Sequence, residues 1–216
     1  MTVVRLSKAH YPVTALGPGV RAGIWLQGCT IACPGCIARD TWPSDPSREV
    51  PLDAVLAWLA GLDGPVDGVT ISGGEPFQQP EALAGLLDGI DGWRAGRSPR
   101  PDILVYSGYP MARLRRDHPR LVARCDAVVA GPYLERRNSG VRWRGSDNQE
   151  IVPLSPLGEV RYRTADDDPS GASALQVTVE ADRIWYIGIP RRGDLDRMEE
   201  RLRAAGIVQL EASWRP

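Results

Sequence analysis

Long apolar runs are missing from this chain of 216 residues. Stretches such as residues 24–26 and 127–130 fall far below the roughly 20 residues that span a bilayer, so an integral membrane protein is not expected. The first eight residues are polar and lack an apolar core of the kind that directs export, which makes the cytoplasm the expected location. A dominant charge is also missing. Twenty-six basic residues stand against 27 acidic ones, so no basic field argues for nucleic acid and no acidic excess argues for disorder. Lysine is nearly absent, with Lys8 alone among arginines, a bias that reflects the coding sequence rather than a mechanism. Histidine is scarce as well, and His10 and His118 have no ligand-like spacing. Cysteine is too rare for a disulfide scaffold, because only four occur, and three of them crowd into eight residues.

What is present has the look of one globular domain, or one plus a small appendage. Short apolar runs at residues 23–26, 68–71, 102–106 and 127–130, each followed by a glycine-containing turn, read as parallel strands buried on both faces. Between them, Leu52, Val55, Leu56 and Leu59 recur at helical spacing, as do Leu83, Leu86 and Leu87, and more weakly residues 111–116. The alternation is that of an α/β fold with crossover helices. Residues 44–48 and 94–101 read as loops, and residues 164–173, with Asp166, Asp167 and Asp168, as an exposed linker. Beyond it, residues 175–179 and 184–189 alternate like a hairpin, followed by a helix from Asp194, expected as its N-cap, to Ala205 before Gly206. The expected division is therefore a core over 1–157 and a β-β-α C-terminal extension over 158–216, packed on the core.

Cys29, Cys33 and Cys36 follow the first expected strand with C-x3-C-x2-C spacing. Three thiolates on one short loop can close around a single centre, and soft sulfur selects an iron-sulfur cluster, zinc or cuprous copper. Structural zinc takes four ligands, and no fourth is evident here, since Cys125 sits near an expected strand as a buried packing residue. A three-thiolate 4Fe-4S cluster would leave one iron open, with zinc or a purely structural thiol cluster as the alternatives. Ser72, Gly73, Gly74, Glu75 and Pro76 close the next strand. Two glycines let backbone approach a ligand, and Glu75 offers an acceptor and countercharge for an ammonium, although such a segment can also be a plain turn. All these residues lie at the carboxyl ends of expected parallel strands, where α/β folds place ligands.

The cysteine loop together with the Gly-Gly-Glu segment resembles the radical S-adenosylmethionine (SAM) superfamily. The resemblance implies a partial, open parallel β/α barrel in which the three cysteines hold a 4Fe-4S cluster. SAM then occupies the open iron, and Gly73, Gly74 and Glu75 receive its amino group. Residues 17–21 and 40–42 are similar to activating proteins of glycyl radical enzymes. Residues 106–109, 126–133 and 144–149 are similar to segments of the anaerobic ribonucleotide reductase branch. By that likeness Tyr106, Ser107 and Gly108 lie beside SAM, with Gly35 also a cofactor contact, and Arg144 to Gln149 lie near the mouth of the site. Without it, Tyr106 could be a core residue and 144–149 a polar loop. Ala38 departs from the family, which often carries Asn at that place.

The activity implied is reductive cleavage of SAM to methionine and a 5′-deoxyadenosyl radical, with one electron from a flavodoxin or ferredoxin. The expected use is installing a glycyl radical on a partner enzyme. Direct action on a small molecule or peptide is the alternative. A noncatalytic iron-sulfur or electron-transfer module is disfavoured because it needs no Gly-Gly-Glu segment. No catalytic side chain is identifiable from the sequence.

Overall fold

The computed structural model describes residues 2–163, 175–180 and 183–215. The elements run β1 (Val3–Val13), β2 (Arg21–Leu26), β3 (Glu49–Pro51), α1 (Leu52–Ala60), β4 (Gly68–Gly73), α2 (Pro80–Arg94), β5 (Asp102–Ser107), α3 (Met111–Asp117), α4 (Pro119–Val122), β6 (Ala127–Ala130), β7 (Glu150–Pro153), α5 (Pro156–Tyr162), β8 (Leu175–Val179), β9 (Ile184–Gly188) and α6 (Asp194–Ala204). Seven strands form one sheet in the order β3-β1-β2-β4-β5-β6-β7, and β8 pairs with β9 separately. The four central strands β2, β4, β5 and β6 are parallel, while β1 and β7 flank them antiparallel. The architecture is mixed α/β, and all four expected strands belong to the parallel centre.

Burial explains why those four strands read as continuous apolar runs. One face carries Ile24, Ile71, Ile103 and Val105 against Val55 and Leu59 of α1 and Leu83, Leu86 and Ile90 of α2. The other face carries Leu104, Ala127 and Val129 beneath Trp143 and Tyr162, and Val13 and Trp25 beneath Leu16 and Ile187. Ile187 belongs to β9, so the hairpin packs on the core.

The structure differs from the sequence reading in three places. The cysteines follow the second strand, because β1 precedes it, hidden by polar residues and by register shifts on either side of its Lys8–His10 segment. The short outer strands β3 and β7 also lacked a visible pattern. Asp194 is the first helical residue of α6, preceded by Gly193 at φ +80°. Its carboxylate accepts from the Arg191 amide at 2.7 Å and the Arg197 guanidinium at 2.6 Å. The expected linker at 164–173 lies outside the described residues, as do 181 and 182 in the hairpin connection.

The amino ends of the parallel strands hold a buried ionic knot. Arg21 and Asp102 are both fully buried and paired bidentately at 2.9 and 2.8 Å. Arg21 also donates to Thr70 Oγ1 at 2.6 Å, and Asp102 accepts from Tyr162 and pairs with Arg161 at 2.8 Å. A Cβ on Gly17 would sit 2.7 Å from Arg21 Nε, so the 17–21 segment is shaped around this guanidinium. Among the described residues no helix is long and apolar enough to cross a membrane.

Candidate metal and cofactor site

At the opposite, carboxyl end of the strands, the loops after β2, β4, β5 and β6 converge. The cysteine loop leaves β2 through Gly28 at φ +103° and folds back on itself. The Gly28 amide donates to Thr41 O at 2.7 Å and the Cys29 amide to Trp42 O at 3.0 Å. Gln27 fastens the neck of the loop, donating to the carbonyls of Asp40 at 3.0 Å and Pro43 at 2.9 Å. Gly35 adopts φ +77°, where any other side chain is strained, and a Cβ there would lie 2.8 Å from the Glu135 carboxyl carbon and push that side chain aside. Ala38 has no polar side chain to offer, and Thr41 caps its carbonyl instead at 2.7 Å.

Cys29, Cys33 and Cys36 are partly buried, whereas Cys125 is buried in the helix-side core. Burial pushes the Cys125 thiol up to about 12, and its Sγ donates to Leu121 O at 3.4 Å, a packing role. The Cys33 and Cys36 thiols are also raised, first by burial and further by the neighbouring cysteines. The Tyr133 backbone favours the Cys33 thiolate, and the Ala38 backbone and the Trp42 side chain favour that of Cys36. Three such sulfurs repel one another as thiolates until a cationic centre joins them. Among the described residues no three His, Cys, Asp or Glu side chains are arranged around a single metal ion. Three soft thiols on one loop are a donor set that suits an iron-sulfur cluster as well as zinc. His118 packs on Phe77 at 5.4 Å and His10 on Trp185 at 4.6 Å, so neither adds a ligand to the loop.

Gly73 and Gly74 bring backbone close, but the backbone they approach is the chain's own. A Cβ on Gly73 would sit 2.4 Å from Leu26 N, and one on Gly74 would sit 2.1 Å from Gly28 O. The resulting contact is sealed by Gly74 N–H to Leu26 O at 2.7 Å and Glu75 N–H to Gly28 O at 2.9 Å. Glu75 itself is 1% exposed. Its carboxylate accepts from Phe77 N at 3.1 Å, Ser107 Oγ at 2.9 Å and Gly108 N at 2.8 Å. Burial outweighs these three bonds and pushes the carboxyl up to about 7. Glu75 thus ties the β4 loop to the β5 loop, bringing together Gly73, Gly74, Ser107 and Gly108.

Tyr106 points the other way, as its place beside Ser107 in a strand requires. Its ring packs with the Leu104 and Trp25 clusters, and its hydroxyl donates to Trp143 O at 2.9 Å. Arg144 to Gln149 form a built loop rather than a loose one. Gln149 donates to Gly131 O at 2.7 Å and accepts from Gly145 N at 2.7 Å, while Asn148 donates to Pro132 O at 2.8 Å. Residues 17–21 are not part of this site, since they lie at the far end of the sheet.

Sequence reasoning missed Gln78 and Gln79. Gln78 accepts from Thr30 N at 3.1 Å and donates to Thr30 Oγ1 and Tyr109 OH, both at 2.7 Å, joining the cysteine loop to the β5 loop. Gln79 donates to Gln27 O at 2.9 Å and Arg5 O at 3.1 Å and accepts from Arg5 N at 2.9 Å.

Residues 15–152 match the family model described as a 4Fe-4S single cluster domain. An anaerobic ribonucleoside-triphosphate reductase-activating protein of Vibrio cholerae serotype O1 is 30% identical over 147 residues, 66% of this chain and 94% of that protein. The protein of that name in Escherichia coli K12 is 29% identical over 150 residues, 67% of this chain and 96% of its own length. That of Enterobacteria phage T4 is 28% identical over 138 residues, 62% of this chain and 85% of its own. With the cysteine loop, the Glu75 tie and the strands that carry them all inside the matched stretch, the chain belongs to the 4Fe-4S single cluster domain family and sits there among the reductase-activating proteins.

Proposed function

We propose that this chain is a radical SAM activating enzyme that installs a glycyl radical on a partner enzyme, an anaerobic ribonucleoside-triphosphate reductase by likeness to the relatives' names. The carrying observation is the convergence of a three-thiol loop with a Gly-Gly turn that Glu75 locks to the next loop. In this reading Cys29, Cys33 and Cys36 hold a 4Fe-4S cluster, and the Gly73–Gly74 backbone with Glu75 receives the amino group of SAM. Gly35, Ser107 and Gly108 complete the surroundings, Tyr106 lies on the opposite face of the strand, and the open sheet is a partial β/α barrel with its core over 1–157 and its extension over 158–216. A cluster held by Cys29, Cys33 and Cys36 would, once reduced by a flavodoxin or ferredoxin, supply the one electron needed to cleave SAM to methionine and a 5′-deoxyadenosyl radical.

The protein's own share is positional. Gln27, Gln78 and Gln79 hold the cysteine loop against the two ligand loops. Ser107 and Gly108 fix the Glu75 carboxylate, so its charge is oriented before any ligand arrives. Trp143 and Tyr106 close the sheet side and exclude water. A reading in which the substrate is instead a small molecule or peptide gains support from Ile187, which covers the inner sheet face with a segment beyond the matched stretch.

Anaerobic reconstitution with iron and sulfide, then reduction with SAM present, should yield methionine and 5′-deoxyadenosine. Adding the reductase should yield a glycyl radical by electron paramagnetic resonance. Stoichiometric zinc with no cluster after reconstitution would refute the assignment. SAM cleavage without a protein radical would favour the small-substrate reading.

A further inference from the structure

The extension reaches the cysteine loop. Ser213 Oγ donates to Ile37 O at 2.9 Å, and Ser213 O accepts from the Asp40 amide at 3.2 Å. These bonds grip the segment directly after Cys36, the stretch that brings the Ala38 backbone and the Trp42 side chain to the Cys36 sulfur.

The grip is backed by a rigid mount. Trp214 donates to Glu199 of α6 at 2.9 Å, Arg215 pairs with the same carboxylate at 3.0 Å, and Trp214 meets Tyr186 of β9 edge to face at 5.3 Å. The hairpin is in turn pinned to β1 and the turn after it. Gln176 accepts from Thr14 N at 2.8 Å and donates to Pro12 O at 2.7 Å. A continuous path of contacts therefore runs from the edge of the sheet to the far arm of the metal loop. Two reductase-activating relatives match 66–67% of this chain over 94–96% of their own length, so about a third of this chain lies outside that likeness.

We propose that Ser213 is a positioning residue for the metal centre. Through its two bonds to the 37–40 segment, it holds the donors facing Cys36 in place and so sets how readily the centre is reduced. The proposal rests on the cluster assignment above but not on SAM cleavage. Hydrogen bonds to cluster sulfurs set reduction potential, and a donor favours the more negative reduced form. Loosening the segment should therefore make the potential more negative.

Three proteins test this: Ser213→Ala, Ser213→Thr and a chain lacking residues 211–216. In the metal-free state, the shortened chain loses the carbonyl that the Asp40 amide donates to, so hydrogen exchange there should speed about fivefold, the equivalent of one ordinary hydrogen bond. Ser213→Ala keeps that carbonyl and loses only the bond to Ile37 O, so it should speed the exchange less. After reconstitution, redox titration followed by electron paramagnetic resonance should give Ser213→Ala a more negative potential, and Ser213→Thr, which keeps the hydroxyl, should restore the parent value. Unchanged Asp40 exchange in the shortened chain, or an unchanged potential in Ser213→Ala, overturns the proposal. A shifted potential in a protein that cannot cleave SAM would sustain it while removing the radical reading.

Discussion

Replacing Glu75 by glutamine should convert a pH-dependent stability into a flatter one. The carboxyl is raised from its ordinary 4.5 to about 7 because it is buried, and a group so held keeps its proton longer in the folded protein than in the unfolded chain. Its contribution to stability is therefore full below about pH 4.5 and is lost as pH rises to about 7. The gap corresponds to about 3 kcal/mol. Glutamine cannot ionise, so it escapes this loss. It does pay at all pH values for placing an amide N–H₂ where the carboxylate met Ser107 or Gly108, about 1–3 kcal/mol for a buried donor left unpaired. Urea unfolding of the metal-free protein should show the variant less stable at pH 5. By pH 8 the parent should have lost about 2–3 kcal/mol relative to the variant, which brings the two level or reverses their order. Stability curves that stay parallel between pH 5 and 8 would refute the argument that burial dominates at Glu75.

Single changes of Cys29, Cys33 or Cys36 to alanine should abolish cluster retention by iron and sulfide analysis, whereas Cys125→Ala should keep one cluster per chain, since that thiol packs in the core. Asp102→Ala strips the partner from a fully buried Arg21 and should cost about 3–5 kcal/mol in urea unfolding. The folded fraction should still bind iron normally, because the knot lies at the other end of the sheet. Gly74→Ala would set a Cβ 2.1 Å from Gly28 O and force two turns apart, so thermal unfolding should register a loss of about 1–3 kcal/mol, with weakened SAM binding by calorimetry.

The parallel centre was legible because strands buried on both faces have no polar residues to obscure them, as in residues 127–130. The cysteine spacing was legible because all three thiols share one loop. β1 was not, since its residues alternate in a pattern broken by two register shifts. The purpose of Gly73 and Gly74 was only half legible. Two glycines announce close approach, but whether to a ligand or to Gly28 depends on where β2 ends in space. Gln78, Ser213 and the Ile187 contact were out of reach for a related reason: each links loops or elements far apart in the chain, and a sequence carries no local trace of such a partner. The Gly17 to Arg21 segment taught the opposite lesson. Its pattern was visible, yet it shapes a buried ion pair remote from the metal loop.

Ile187 has one more consequence, for the order in which the molecule can be made. It completes the cover over Val13, Leu16 and Trp25, which leave the ribosome long before it does. At about 5–20 residues per second, the intervening chain takes roughly 10–35 s to synthesise. Throughout that interval a strip of apolar sheet, including a tryptophan, lacks its cover. Lower temperature or a co-expressed chaperone should raise the soluble yield of this chain, and more so than in an Ile187→Ser variant, whose apolar strip never gains its full cover.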